Sequence, residues 1–156
     1  MCQSREPKSR QRREFIEVLG KSVLLLPVLV ACGSNLDSQG GKSTGTIEVG
    51  KKPAQLAVGS LSIVPNEPLA IGRDTQGIYA MTLICPHADC DMSTAGTVDG
   101  NGVFCNCHGS RFDPNGAVQR GPASQALAHY AVSVDQAGSL VIDAGQVVDA
   151  SQRLAV

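Results

Sequence analysis

Four of the six cysteines and two of the three histidines of this chain lie in two short segments. The first segment reads Cys85-Pro86-His87-Ala88-Asp89-Cys90, and the second reads Cys105-Asn106-Cys107-His108-Gly109-Ser110. Thiol and imidazole groups bind metal ions and iron–sulfur clusters, and two thiols can instead form a disulfide. Each segment directly follows an apolar stretch of strand length, so both are expected to be loops at strand ends.

Two simple interpretations follow from these residue types alone. A zinc site binds four Cys and His side chains, so six candidate ligands would leave two of them without a role. A disulfide between two of the cysteines accounts for neither histidine. Neither interpretation therefore uses the whole set of residues.

The spacings Cys85-x-His87 and Cys105-x-x-His108 resemble the pattern of the Rieske iron–sulfur family, and the resemblance covers the chain from about residue 46. It implies a [2Fe–2S] cluster in which Cys85 and Cys105 bind one iron and His87 and His108 bind the other. Two neutral imidazoles in place of two thiolates remove negative charge from the cluster, so its reduction potential rises. The implied function is one-electron transfer.

Further positions agree with the same family. Cys90 and Cys107 stand at the positions that form a disulfide between the two loops in the quinol-oxidising branch, so the resemblance implies this disulfide. Ser110 stands where the family has a serine whose hydroxyl donates a hydrogen bond to a bridging sulfide. Gly121-Pro122-Ala123 resembles the proline-bearing loop that covers the cluster. A structural disulfide also implies an oxidising compartment.

Three positions depart from the family pattern. Phe112 stands where high-potential members have a tyrosine whose hydroxyl bonds to a ligand sulfur. Asp89 replaces the usual glycine beside the disulfide cysteine and brings a carboxylate close to the cluster. Both changes lower the expected potential to a moderate value. Ala88 replaces the usual leucine at the cluster tip, where the family binds quinol.

The chain from residue 46 has to position these loops, and its pattern predicts short strands separated by turns. Turn-forming Gly, Pro, Asn and Asp residues separate the apolar stretches, and no long segment has helical periodicity. The predicted fold is all-β, a Rieske-type antiparallel β-sandwich or partly open barrel with two cluster-binding loops. His129 is expected to be a surface or packed strand histidine rather than a ligand. The predicted strands are residues 46–49, 61–64, 69–73, 78–82, 103–105, 130–134 and 140–143.

Residues 1–31 have the pattern of an export signal. A basic region precedes an apolar run at residues 23–31, which is shorter than the roughly 20 residues of a membrane span and contains Pro27. Arg12-Arg13-x-Phe15-Ile16 resembles the twin-arginine signal, which exports folded proteins. A retained signal-anchor helix is the alternative interpretation.

The apolar run ends at Leu29-Val30-Ala31-Cys32, which resembles the lipobox of bacterial lipoproteins. The resemblance implies lipidation of Cys32 and a membrane-anchored protein on the periplasmic side. Residues 32–45 are predicted to be a flexible linker because they offer almost nothing to bury. The predicted organisation is therefore an export signal at 1–31, a lipid-anchored linker at 32–45 and a Rieske domain at 46–156.

Composition limits the possible functions. The net charge is −1, and no basic patch with interleaved aromatic residues follows the leader, so nucleic-acid binding is not expected. The length of 156 residues leaves no room for the mononuclear-iron domain of a ring-hydroxylating oxygenase.

The predicted function is that of the iron–sulfur subunit of a membrane quinol:cytochrome c oxidoreductase or a close relative. Its donor would be a quinol or a redox subunit, and its acceptor a cytochrome c-type protein. The alternative is the small Rieske relay subunit of another exported oxidoreductase, similar to arsenite oxidase.

Overall fold

A computed structural model describes residues 43–156, which form ten β-strands and one short 3-10 turn at Pro53–Gln55. The predicted leader, Cys32 and the linker up to residue 42 lie outside the described residues. Among residues 43–156, no helix is long and apolar enough to cross a membrane. The strands are β1 Thr46–Glu48, β2 Ser60–Ile63, β3 Leu69–Arg73, β4 Ile78–Thr82, β5 Gly96–Asp99, β6 Gly102–Cys105, β7 Arg111–Phe112, β8 Val118–Arg120, β9 His129–Val134 and β10 Leu140–Val148.

Six of these strands form an antiparallel sheet in the order β1-β10-β9-β4-β3-β2. Two of its inner strands, β3 and β4, are buried on both faces, because successive side chains point to opposite sides and each side meets a core. Leu69, Ile71 and Ile78 belong to one core, and Ala70 and Met81 to the other.

The other four strands form a smaller antiparallel sheet in the order β5-β6-β7-β8. It packs on the second core, which also contains Cys85 and Cys105. The first cysteine–histidine segment connects β4 of the large sheet to β5, and the second connects β6 to β7. Both segments therefore belong to the small sheet's side of the molecule.

The all-β antiparallel prediction is confirmed. The seven predicted strands are present with shifts of one residue at some ends, and β10 continues to Val148. Strands β5, β7 and β8 were not predicted. They are two to four residues long, mostly polar, and depend on pairing with β6 and with each other.

Candidate metal centre

The two cysteine–histidine loops have the same backbone hydrogen-bonding pattern. In the first, the N–H of Cys85 donates to the carbonyl of Cys90 at 2.9 Å, and the N–H of Asp89 donates to the carbonyl of Cys85 at 2.9 Å. In the second, Cys105 donates to Ser110 at 2.9 Å and Gly109 donates to Cys105 at 3.0 Å. The loops are thus two copies of one six-residue turn, each beginning at a cysteine.

This turn requires a left-handed backbone at its fifth residue. Gly109 has φ 83° and Asp89 has φ 52°. Glycine adopts this region without steric cost, and aspartate is one of the few other residues that adopt it regularly. Asp89, which departs from the expected glycine, is therefore compatible with the turn.

The first cysteine of each turn is buried and free, with exposed fractions of 1% for Cys85 and 0% for Cys105. Burial raises the pKa of the Cys85 thiol, and the adjoining Cys105 side chain raises it further. The backbone N–H of His87 and the hydroxyl of Ser110 lower this pKa by hydrogen bonding to the sulfur. The two predicted thiol ligands therefore lie together in the core.

His87 and His108 are both exposed, and their rings meet edge to face with centroids 4.8 Å apart. They lie at the surface, whereas the two free thiols are buried. Two paired thiols and two paired imidazoles form a donor set of the composition that a Rieske cluster uses, so the residues present fit such a cluster.

Cys90 and Cys107 form a disulfide that joins the two loops across 17 residues of sequence. The sulfur atoms of Cys90, Cys105 and Cys107 lie within 4.8 Å of one another. Because two of these sulfurs are bonded to each other, this group is not a three-thiolate zinc site. The disulfide that the resemblance implied is present in the structure.

Comparison with known families matches residues 37–131, more than half of the chain, to the Rieske [2Fe-2S] domain. The chain belongs to the Rieske [2Fe–2S] domain family. It is therefore a [2Fe–2S] electron carrier, and the predicted cofactor is confirmed.

The Rieske domain is similar to iron–sulfur subunits of cytochrome b6-f complexes. The subunit from Cyanothece sp. (strain PCC 7425) is 44% identical over 64 residues, which are 40% of this chain and 35% of that protein. The subunit from Prochlorococcus marinus (strain NATL1A) is 34% identical over 106 residues, which are 67% of this chain and 56% of that protein. The chain thus matches between about a third and just over half of the length of these relatives.

The fold is also similar to that of solved structures. A chain from the complex of oxygenase and ferredoxin in carbazole 1,9a-dioxygenase has a TM-score of 0.47 and 24% identity, covering 68% of this chain and 98% of its own. The plasma membrane Rieske protein PetC3 from Synechocystis PCC 6803 has a TM-score of 0.41 and 25% identity, covering 54% and 85%.

A third segment of the Rieske domain supports the second loop. The side chain of Ser110 is fully buried, and its Oγ accepts a hydrogen bond from the N–H of Ala123 at 3.0 Å. Ala123 follows Gly121-Pro122, the segment predicted to cover the cluster. This bond leaves the hydroxyl hydrogen of Ser110 available for the sulfur of Cys85. The sequence did not indicate the hydrogen bond between Ala123 and Ser110, because almost every residue type has a backbone amide that could donate it.

The other two departures from the family pattern differ in exposure. Phe112 is buried, with 2% of its surface exposed, in the same core cluster as Cys85 and Cys105. Its ring lacks the hydroxyl group that a tyrosine would carry at Cζ. Ala88 is exposed beside His87 and offers little apolar surface to a ligand at the tip.

His129, the third histidine, has a different environment from His87 and His108, because it is buried and they are exposed. It is 2% exposed in β9, its ring stacks on that of Tyr79 with centroids 5.8 Å apart, and its Nε2 lies 3.0 Å from the carbonyl oxygen of Asn115. The structure therefore makes it a packed strand histidine, one of the two environments expected for it.

Proposed function

We propose that this Rieske domain holds its cluster on Cys85, Cys105, His87 and His108 and passes single electrons within a membrane quinol:cytochrome c-type oxidoreductase. One observation supports the ligand assignment most directly. The only two free cysteines of the described residues are buried side by side, and the only two exposed histidines of the same residues meet ring to ring on the same pair of loops.

Each of these residues has a separate task. The bound cluster supplies one-electron chemistry. Cys85 and Cys105 keep one end of the site out of water, and His87 and His108 make the other end reachable by a donor or an acceptor. Ser110, held by the Ala123 amide, directs its hydroxyl toward the sulfur side, which stabilises negative charge there.

Exposed imidazoles suit a quinol as the electron donor, because a ring nitrogen at the surface accepts a hydrogen bond from a hydroxyl group. The names of the similar proteins, which are iron–sulfur subunits of cytochrome b6-f complexes, support this function over the arsenite oxidase-like relay. A cytochrome c-type protein is the corresponding acceptor. Because Ala88 offers little apolar surface, a quinol would contact the two histidines rather than an apolar side chain at the tip.

The protein is proposed to act on the periplasmic side of a membrane, with residues 1–31 as a twin-arginine export signal and Cys32 as the site of a lipid anchor. A disulfide is stable in an oxidising compartment, which agrees with export. Residues 32–45 would then connect the lipid to the Rieske domain at 46–156. Mass spectrometry of the membrane-extracted protein tests this, because lipidated Cys32 and a retained leader differ in mass.

Spectroscopy of the purified, reduced protein tests the ligand assignment. We expect the visible absorption and electron paramagnetic resonance signal of a [2Fe–2S] centre with mixed Cys and His ligands. Cys85→Ser and His108→Leu should each abolish or strongly alter the signal. His129→Gln removes the third histidine and is the matched control, which should keep the signal. A colourless protein that contains zinc would contradict the proposal.

Reduction kinetics test the donor. A soluble quinol should reduce the oxidised protein in a reaction that His108→Leu eliminates and His129→Gln leaves unchanged. If the cluster is reduced by dithionite but never by any quinol, the quinol-linked function is wrong and the relay function remains.

A further inference from the structure

Arg111 and Arg120 are the only Lys or Arg residues between Arg73 and Arg153, and the fold brings them together. They are direct cross-strand partners in the β7–β8 ladder, and both are exposed. Opposed residues of an antiparallel pair have Cβ atoms about 5 Å apart, and two like charges there are destabilising. The folded part of the chain is otherwise acidic, with six Lys and Arg against ten Asp and Glu in residues 43–156.

No carboxylate among residues 43–156 forms an ion pair with Arg111 or Arg120. The single ion pair found among residues 43–156 joins Arg153 to Asp74. The guanidinium of Arg111 instead lies over the ring of Phe104, 4.8 Å from its centroid. A cation–π interaction holds the guanidinium over the ring, and its N–H groups remain able to donate hydrogen bonds to a ligand. Such a group is prepared to bind a carboxylate.

Phe104 and Arg111 form part of an open groove of about 300 Å³ on the outer face of the small sheet. Asp99 also lines the groove; its Oδ1 accepts a hydrogen bond from the N–H of Asn101, and its carboxylate forms no ion pair with either arginine. The groove is open along the sheet and does not enclose a small ion. A solvated ion gains little from exposed guanidinium groups, whereas a protein surface that bears several carboxylates gains from both of them.

The pair is also close in sequence to the proposed cluster loops. Arg111 directly follows Ser110, Arg120 directly precedes Gly121 of the covering segment, and Phe104 directly precedes Cys105. A partner that contacts Phe104 on this face therefore touches the residue next to Cys105, a proposed ligand.

We propose that Arg111 and Arg120, with Phe104, form a lateral docking surface for an acidic redox-partner protein, separate from the tip at His87 and His108. The inference rests on the proposed electron-transfer function, because it assigns a partner to the same cluster. Charge complementarity selects the occupant: a carboxylate-bearing surface is attracted to the arginine pair, whereas a basic surface is attracted to the acidic remainder of the domain.

The test uses the full-length, cluster-loaded protein and two forms of one acceptor. The probes are a basic cytochrome c and the same cytochrome c with its lysines succinylated, which makes its surface acidic. Rates of electron transfer from the reduced protein are measured by stopped flow over a range of ionic strength. Arg111→Gln with Arg120→Gln is the test variant. Lys51→Gln with Lys52→Gln is the control with the same change in net charge, placed between β1 and the 3-10 turn.

We expect the arginine variant to slow reduction of the succinylated cytochrome by about tenfold at low ionic strength, because electrostatic attraction raises association rates by at least that factor. The difference should vanish at high salt, and the lysine variant should change the rate far less. Equal losses in both variants would show an effect of net charge alone, and an unchanged rate in the arginine variant would exclude the docking surface. Either result overturns the proposal.

Binding of the two oxidised proteins, measured by calorimetry, needs no electron transfer and separates this proposal from the proposed function. Weaker binding of the succinylated cytochrome to the arginine variant supports the surface even if the acceptor is not reduced. Inorganic phosphate at constant ionic strength is a further competitor. If it weakens binding as much as the arginine variant does, the pair is a small-anion site and the protein-partner proposal is wrong.

Discussion

Asp89 and Gly109 occupy the same position in the two loops, yet one is charged and the other has no side chain. Both have positive φ, and no atom lies within 4 Å of where a Cβ on Gly109 would be. The restriction at this position is therefore conformational rather than steric crowding by neighbours. An L-residue whose side chain cannot hydrogen-bond locally has the full steric cost of the left-handed backbone.

Gly109→Ala should lower the free energy of unfolding by about 1–2 kcal/mol, because alanine is strained at this φ. It should also shorten the time for which the visible absorption of the cluster persists in chelator, since the second loop is distorted. Gly138→Ala is the control, with φ 81° and open space around it in the β9–β10 turn. A similar loss of stability without cluster loss is expected there. Equal cluster retention in both variants would contradict the assignment of Gly109 to a loop that binds the cluster.

Phe112→Tyr should raise the midpoint potential, because a buried hydroxyl near the thiols would stabilise the more negative, reduced cluster. A hydrogen bond worth about 1 kcal/mol corresponds to about 40 mV for a one-electron couple. Redox titration followed by electron paramagnetic resonance measures the shift. Tyr130→Phe changes a ring hydroxyl in the other core and should leave the potential unchanged. A fall in potential for Phe112→Tyr would refute the hydrogen-bond argument.

At the scale of elements, the two loops are joined to each other by the Cys90–Cys107 disulfide, and the second loop is joined to the Gly121-Pro122-Ala123 segment by the Ala123–Ser110 hydrogen bond. Each loop is closed by its own two backbone hydrogen bonds, so the disulfide adds a connection between loops rather than within one. It holds the first loop, on the β4–β5 connection, against the second, on the β6–β7 connection.

Cys90→Ser with Cys107→Ser should destabilise the protein by about 3 kcal/mol, since the bond closes a loop across a 17-residue separation. Replacing both cysteines avoids a free thiol beside Cys105. Denaturant unfolding measures the change, and reductant should lower the stability of the wild type but not of the variant. Identical unfolding curves for the wild type and the double variant would mean that the loops are positioned without the disulfide.

At the scale of the whole domain, three side chains hold the turn between β7 and β8: Tyr79 and His129 of the large sheet, and Arg153 of the segment after β10. The hydroxyl of Tyr79 donates to the carbonyl of Pro114 at 2.8 Å, and Nε2 of His129 donates to the carbonyl of Asn115 at 3.0 Å. Arg153 donates to Oδ1 of Asn115 at 2.7 Å and stacks over Tyr79. This clasp fixes the small sheet on the large one.

The clasp predicts a pH dependence of stability. Burial lowers the pKa of His129, and Arg153 lowers it further, while the carbonyl of Asn115 and the carboxylates of Asp149 and Asp113 oppose the shift. Its Nδ1 is buried without a partner. The unfolded chain therefore binds a proton below about pH 6.5 where the folded protein does not, and stability is lost as the pH falls.

Between pH 7 and 5 the free energy of unfolding should fall with a slope of at most about 1.4 kcal/mol per pH unit from this histidine. His129→Gln keeps a donor for Asn115 but does not titrate, so its curve should be flatter over the same range. His87 and His108 are present in both proteins and do not affect the difference. Parallel curves would show that His129 is not the group responsible.

The amino-acid sequence by itself determined the chemistry of the site and the class of fold. The candidate ligands and the disulfide cysteines lie within two six-residue segments. Residues so close in sequence are positioned by the local backbone, so their spacing can be recognised without the rest of the fold. The strands of the large sheet were predictable because their apolar residues come in stretches of strand length between clear turn residues. Strands β5, β7 and β8 were not, because short polar segments become strands only when a neighbour supplies the hydrogen bonds.

Only the tertiary structure decided how distant residues meet. It placed the Ala123 amide on Ser110, brought His129 to Asn115, and set Arg111 opposite Arg120 on the face proposed for docking. These pairs are nine to fourteen residues apart and follow no periodic pattern, so local preferences do not fix them. Strand register and the packing of one sheet on the other fix them, and both depend on the burial of the whole core.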